Sequence, residues 1–543
     1  MNIFDWVIIT VYCLGLIGFG YWMGKTQENQ EDYYVGGRNL SWWSVGLSTM
    51  ATQLSAISFI SVPAFIALKK GGGLTWLQYE FAVPIAMIFI MITLIPFFRK
   101  QNVISVYEYL EKRFDHRARA FLSAAFLVSR GLGTGVGVYA SAIVVSAVFQ
   151  LDITWTILII GVVTIIYDTM GGMKAVVYSD VIQMIILVSG VLLCIFYALE
   201  DAGGWTNAMN TLESSRLVAV DITTTGLGDE SKVPFWAFLV GGFFLYSSYY
   251  GCDQSQVQRE LSAPTIDDTK KSLLLNGIAR FLLVLTYCIM GLLVGAVVIQ
   301  NTELQALISD YGKPDYMVPI FVLEYLPHGI KALIFAAILS AAMSSLDSGL
   351  NSLSAATMRD FYERYINTNA SEKQILIASK VTTAMWGVLI TLFALKAGSI
   401  APTVVEAINK VGSAFYGPIL AAFLLAILTK RTNANGVIIG ILAGVGINLT
   451  FWFFVPQIHW MWWNAIGCIV TFLSGYIASL AWAVPKIQKI TGLTWDKDTA
   501  FGGKASGQIN WIPIYFLMTG YFFLIMGIAY LMPYFLTMGH PFK

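Results

Sequence analysis

About fourteen stretches of this chain are apolar over roughly 20 residues or more, and nothing else in the sequence constrains the fold as much. A helix of about 20 residues crosses the hydrocarbon core of a bilayer. Inside lipid, every backbone N–H and C=O must be satisfied within the segment itself. The runs are approximately 3–23, 41–69, 76–98, 118–148, 153–170, 174–199, 234–253, 272–299, 331–358, 375–396, 401–428, 434–455, 459–484 and 510–537. They predict an all-α polytopic membrane protein of about 14 transmembrane helices. A composition that is 57% hydrophobic and 12% charged lies far from that of a soluble domain.

The cations fall on alternate loops. If the segment after the first run is cytoplasmic, the inside loops carry 20 Lys and Arg, among them Arg38, Arg99, Lys100, Arg113, Arg259 and Arg359, while the outside segments carry seven. That asymmetry is the positive-inside pattern, and an even number of spans then predicts both termini outside. The first run follows no basic leader and precedes no small-residue cleavage site, so it reads as a retained span. Overall, 33 Lys and Arg balance 32 Asp and Glu, which gives no footing for a nucleic-acid partner.

Within 331–358 the apolar run is interrupted by Ala341, Ala342, Met343, Ser344, Ser345, Leu346, Asp347 and Ser348. Positions 341, 344, 345 and 348 stand at i, i+3, i+4 and i+7, which puts a small residue and three hydroxyls on one helix face beside a carboxylate. Hard cations such as Na⁺ are held by several oxygens, and an ionisable group at membrane depth marks a functional pathway. Serines alone would serve only close helix packing; Asp347 tips the reading toward an ion site. Three cations, Arg130, Arg280 and Lys410, remain within the membrane, against Glu80, Asp168, Asp180, Asp253, Asp347 and Glu406. An internal polar cavity accounts for all nine together.

Two spans break in similar ways. The second is interrupted by Thr49, Thr52, Gln53, Ser55 and Ser58, and the seventh ends on Tyr249, Tyr250, Gly251, Cys252, Asp253 and Gln254. An offset of five spans inverts the second unit, so spans 2–6 and 7–11 read as inverted-topology repeats whose broken first helices meet at mid-membrane. The run Gly131, Gly133, Gly135 and Gly137 follows no strand, so it is read as close helix packing rather than a phosphate loop. No nucleophile–base pair or metal triad has recognisable spacing, and the five cysteines all lie in apolar segments. Enzymatic chemistry is not expected.

Several motifs resemble those of the solute:sodium symporter family, which includes the sodium/glucose, sodium/iodide, multivitamin and sialic acid cotransporters. They are Glu31 to Arg38 with Trp42-Trp43, Ala51 to Ala56, Gly171-Gly172 through Gln183, Gln256-Val257-Gln258-Arg259, and Ser344 to Ser352. The resemblance implies a leucine-transporter-like 5+5 inverted repeat. The chain would be one transporter domain over 1–543, with a leading segment at 3–40, repeats at 41–199 and 234–428, and C-terminal helices at 434–543. It further implies Na⁺ as the co-transported ion. By position, a common sodium site would use the carbonyls of Ala51, Leu54 and Ala341 with the hydroxyls of Ser344 and Ser345. A second site would use Asp180, Ser344, Asp347 and Ser348. Asp347 departs from the small or hydroxyl residue of several relatives; it would either strengthen the second site or pair with a cation such as Arg280.

For the solute, Glu80, Arg280 and Asn409 match polar positions of sugar-transporting members, whereas Asp253 and Ser255 depart from the family's Asn and Tyr. Arg130 lies about one turn from where sialic acid carriers meet a carboxylate. With Ser55, Ser58 and Gln254 these residues make up the candidate solute contacts, placed between spans 2, 3, 7 and 11. The expectation is a monomeric plasma (inner) membrane symporter of a small polar organic solute: a sugar, a sialic acid or other carboxylate, or a vitamin. Its other partners would be the sodium ion and membrane lipid. An uncoupled channel or uniporter and a transporter-fold solute sensor remain the alternatives.

Overall fold

The computed structural model describes residues 2–53, 56–149, 151–397, 404–482, 491–495 and 508–537, with backbone only at 56–57, 144, 147–148 and 404–409. Among these residues the secondary structure is helical, with a single isolated antiparallel bridge between Leu227 and Ile458. Ten helices are long and apolar enough to cross a membrane, or eleven if a bent pair counts as one span. The expected count of fourteen is therefore not reached by length and composition alone.

The helices that position the site are α1 (Ile3–Gly24), α2 (Trp42–Gln53), α3 (Ala56–Ala67), α4 (Val83–Thr93), α5 (His116–Phe149), α6 (Ile153–Asp201), α7 (Gly242–Cys252) and α8 (Gln254–Glu260). They continue as α9 (Ile266–Gln300), α10 (Ile330–Thr357), α11 (Glu372–Ala397), α12 (Val404–Leu428), α13 (Ala434–Phe454), α14 (Trp462–Ser479) and α15 (Ile512–Leu536). The molecule is apolar outside as well as inside. Large side chains such as Val11 and Leu14 on α1, Val381 and Leu392 on α11, and Phe516 and Phe523 on α15 are exposed, as a lipid-facing surface requires.

Helix α10 is the buried axis. Its middle is rich in Ala, Ser and Gly, and side chains this small let neighbouring backbones approach closely. It packs against α1, α2, α3, α5, α6, α8 and α11. Its start is fixed by Asp5 of α1, which accepts hydrogen bonds from the Gly329 N–H (2.9 Å) and pairs with His328 Nδ1 (2.8 Å).

Breaks fall where the sequence places them. Helices α2 and α3 are inclined at 58°. The seventh apolar run breaks at Asp253, which has extended backbone (φ −79°, ψ 124°) and caps α8 through the Ser255 N–H. The sequence reading ended this run at 253 and placed Arg259 in an inside loop; instead α8 continues as a wholly buried second half, and Arg259 is 1% exposed. Charged and amide-rich, 254–260 looks like a loop, yet it is buried, with Gln254, Gln258 and Arg259 partnered by neighbouring elements and both Glu260 carboxylate oxygens left without a hydrogen bond.

At about 1.5 Å per residue the 49 residues of α6 far exceed one bilayer thickness. The helix is interrupted at Gly172 (φ 54°, ψ −155°), a conformation that essentially only glycine adopts. A Cβ there would lie 2.6 Å from the Tyr33 carbonyl oxygen. Gly172→Ala is therefore expected to cost about 1–3 kcal/mol from backbone strain alone, and more from the clash. Thermal denaturation of the detergent-solubilised protein should show a midpoint lowered by several degrees, whereas Gly527→Ala, where an added Cβ meets nothing within 4 Å, should leave it unchanged.

Candidate functional site

A dense polar node forms where α2, α6, α8 and α10 meet. Asp180 on α6 accepts hydrogen bonds from Ser344 on α10 (2.5 Å), Ser48 on α2 (2.5 Å) and the Arg259 guanidinium on α8 (3.2 Å). Arg259 spends its remaining donors on Ser348 Oγ (2.5 Å), Ser48 Oγ (2.8 Å) and the Ser255 carbonyl (2.6 Å). Ser348 also meets Thr52 of α2 at 3.1 Å. Each of these side chains except Thr52 is at most 1% exposed. Asp347 accepts from the Tyr167 hydroxyl, and Asp168 is fully buried with neither carboxylate oxygen hydrogen-bonded. Three buried acids and one guanidinium thus lie in this part of the bundle. Isolated buried charge costs several kcal/mol per ion, and carboxylate and hydroxyl oxygens are the ligands a hard cation takes.

The expected face of α10 divides in two. Ser344 and Ser348 turn into this node, whereas Ser345 lines a neighbouring cavity of about 350 Å³, its hydroxyl donating to the Ala341 carbonyl at 3.2 Å. Ala51 is buried in the same turn of α2 as Thr52, which brings that turn against α10. Leu54, the remaining expected sodium ligand, lies outside the described residues.

The cavity is lined by α2, α3, α5, α7, α9, α10 and α12. On one side Arg280 of α9 forms a forked pair with Glu80, Nε to Oε2 at 2.5 Å and Nη2 to Oε1 at 3.1 Å. Its Nη1 reaches the Tyr250 hydroxyl at 3.1 Å and the Gln53 side-chain oxygen, to which Tyr250 also donates. Two-point pairing of this kind fixes the guanidinium plane. The opposite side is looser. Arg130 Nη1 lies 3.7 Å from Asp253 Oδ2, beyond hydrogen-bond range, and Arg130 Nε is buried without a partner. Asp253 gives its other oxygen to the Ser255 N–H (2.8 Å) and hydroxyl (2.6 Å). Trp76 and Tyr79, stacked at 4.4 Å, and Trp460 form an aromatic wall toward the end that bears the 200–233 loop.

The other end, which carries the Arg- and Lys-rich loops, is closed. Arg38 donates to the Val103 and Leu261 carbonyls (3.0 and 3.3 Å), and Arg99 donates to those of Ala263 and Pro264 (both 2.8 Å). Gln254 belongs to this closure. Its amide donates to the Ile104 carbonyl and accepts from the Val106 N–H, both at 2.8 Å, so it does not join the cavity as a solute contact.

Of the expected solute residues, Ser58, Glu80, Arg130, Asp253 and Arg280 line the cavity together. Ser55 lies outside the described residues, and at Asn409 only the backbone is described, within α12. The alternative pairing of Asp347 with Arg280 is overturned, because Glu80 holds Arg280 while Asp347 is met by Tyr167. Tyr167 and Ser48 escaped the sequence reading, because each is a lone hydroxyl in an otherwise unremarkable helical run, and Gln53 and Tyr250 were noted only as interruptions of their spans. The glycine run divides by face. A Cβ on Gly131 or Gly135 would meet Trp386 (3.2 Å) or Phe393 (2.5 Å) of α11, while Gly133 and Gly137 border the cavity with nothing within 4 Å.

Known proteins resemble the chain in sequence and in fold. The sodium/sialic acid symporter NanT of Aliivibrio fischeri is 27% identical over 88% of this chain and 92% of its own. The human sodium/iodide cotransporter is 30% identical over 82% of this chain and 69% of its own. The solved substrate-bound, outward-open state of a Na⁺-coupled sialic acid symporter superposes with a TM-score of 0.80 at 26% identity, covering 89% of this chain and 99% of that one. The family model described as the sodium:solute symporter family matches residues 33–444. With that match covering most of its length, the chain belongs to the sodium:solute symporter family, whose members are membrane transporters rather than enzymes.

Proposed function

We propose that the chain imports a small polar organic solute against its gradient, driven by Na⁺, by alternating access across the plasma (inner) membrane. The observation that carries this reading is the division of one helical turn of α10 between two chambers. Ser344 holds Asp180 in the anionic node while Ser345 faces the solute cavity. An ion bound at this turn and a solute in the cavity share a wall, so each stabilises the arrangement the other needs. Coupling of this kind is reciprocal: Na⁺ raises solute affinity by the factor by which solute raises Na⁺ affinity. In this reading Ala51, Leu54, Ala341, Ser344 and Ser345 hold one Na⁺, and Asp180, Ser344, Asp347 and Ser348 form a second site. The chain is one transporter domain folded as a 5+5 inverted repeat of fourteen spans, with the breaks at 53/56 and at Asp253 opening the two repeats. It works as a monomer with both termini outside.

The relatives carry sialic acid or iodide, and the cavity has a matching feature. Arg280 is held by Glu80, Gln53 and Tyr250, whereas Arg130 lines the chamber and has a buried Nε with no hydrogen-bond partner. A guanidinium with spare coplanar donors recognises a carboxylate, so Arg130 is assigned to the solute's acidic group and Glu80 and Arg280 to its hydroxyls.

Ser345→Ala removes one oxygen from the first cage. It is expected to raise the Na⁺ concentration for half-maximal uptake about tenfold, equivalent to roughly 1.4 kcal/mol, in proteoliposomes with an imposed Na⁺ gradient. Unchanged Na⁺ activation, or uptake that never exceeds equilibrium in the parent protein, would refute the symport reading. Charge-assisted hydrogen bonds contribute about 1.5–3 kcal/mol, so Arg130→Gln should weaken binding of a carboxylated solute roughly 10- to 100-fold, measured by competition against labelled solute. Neutral sugars should bind the variant and the parent alike.

A further inference from the structure

A second cavity of about 910 Å³ opens next to the first, between the 226–232 loop, the turn after α3 and the 456–460 turn that joins α13 to α14. Its lining is unusual in sign and shape. Lys70, Lys232 and Lys410 converge on it, and Trp452, Trp460 and Trp463 supply flat apolar walls. Neither Lys70 nor Lys232 forms an ion pair among the described residues, and both are exposed.

The acids nearby, Asp229 and Glu230, offset this charge only in part against three lysines. Asp229 is folded onto its own loop, accepting from the Gly226 N–H (2.8 Å), the Thr225 N–H and hydroxyl, and the Ser231 N–H (3.2 Å). Glu230 is exposed at the rim, held at φ 53°. Burial lowers the pKa of His459 to about 4, so its ring is neutral at pH 7 and the positive charge belongs to the lysines. Trp460 borders both cavities. Its ring lies 5.9 Å from Phe238 and 6.5 Å from Tyr79, whose own ring is 4.1 Å from Phe238. These aromatics cluster around the ring that the two cavities share.

We propose that this lysine–tryptophan cup is a capture site for an organic anion, one with a carboxylate for Lys70 and Lys232 and a ring or planar body for the tryptophan faces, and that the transported solute is therefore anionic. The inference rests on the symport reading for its second half only. Screening confines the attraction of exposed charges to about 8 Å at physiological ionic strength, so the lysines act at the mouth of the cup. They raise the local concentration of anions there, and the tryptophan faces then hold the apolar body. Arg130, in the first cavity, receives the carboxylate after the lysines release it.

The full-length protein in nanodiscs, probed by quenching of tryptophan fluorescence, tests the cup without knowledge of the solute. Iodide serves as the anionic quencher and acrylamide as the neutral one, and the difference between parent and Trp460→Phe isolates the signal of the shared tryptophan. Lys70→Gln/Lys232→Gln should lower iodide quenching of that signal about threefold and leave acrylamide quenching unchanged. Equal iodide quenching in both proteins, or parallel loss with acrylamide, overturns the proposal. In the transport arm, Na⁺-driven uptake of N-acetylneuraminate, pyruvate and glucose is compared. The double variant should show a severalfold higher KM for a transported anion with kcat preserved, and uptake of glucose without either anion overturns the anionic assignment. If the iodide result holds while no solute is accumulated by a Na⁺ gradient, the cup stands and the symport reading falls.

Discussion

Asp180 is the point on which the interior depends. A carboxylate at zero exposure is tolerable only because Ser48, Ser344 and Arg259 reach it from three other helices. Each partner is fixed in turn: Arg259 by Ser255 and Ser348, and Ser348 by Thr52. Removing one partner from a buried network of this kind leaves a bare charge at a cost of several kcal/mol, so α2, α6, α8 and α10 are obliged to keep their relative positions while the network is whole. In the symport proposed above, a cation entering the node competes with Arg259 for Asp180.

The chamber itself is built from a rigid side and a permissive side. Arg280, Glu80, Gln53 and Tyr250 hold one another in a closed cluster that tethers α2, α7 and α9 through the polypeptide between α3 and α4. Arg130 and Asp253 face each other at 3.7 Å without closing. A solute therefore meets one surface already organised and another with unspent hydrogen-bonding capacity. Preorganisation on one side limits the ordering cost of binding, while the open pair on the other supplies a charge-assisted contact. The lattice of arginine and glutamine contacts at the basic end then keeps the chamber from opening in that direction.

What the sequence made legible was charge out of place. Asp347, Glu80, Arg130, Asp253 and Arg280 each interrupt an apolar run, and lipid does not accept such residues without a reason, so all five emerged as candidates and all five sit at the node or the cavity. The break near residue 253 was visible from its Gly and Tyr cluster. Less visible was anything whose role depends on partners far away in the chain. Arg259 and Gln254 lie among polar neighbours and read as loop, yet α8 is buried because Ile104, Val106, Tyr34 and Asn351 satisfy its amides. Periodicity located the face of α10 but not what packs on either side of it. The spacing of Ser344, Ser345 and Ser348 places all three on one face, but a face of that width borders two compartments once α6 and α2 pack against it. The two runs 153–170 and 174–199 were legible as separate crossings, and the break between them falls at Gly172 within α6.

The glycines of α5 have a consequence for how such a carrier diversifies. Gly131 and Gly135 seat the helix against the rings of α11, while Gly133 and Gly137, half a turn away, leave bare backbone along the chamber. Docking and hollowing are thus assigned to alternate residues of a single strip. Side chains can grow inward at 133 and 137 while 131 and 135 stay fixed, so the bore of the chamber is adjustable independently of the scaffold that encloses it. A lineage could resize its cargo with single substitutions and leave the packing of the surrounding bundle untouched.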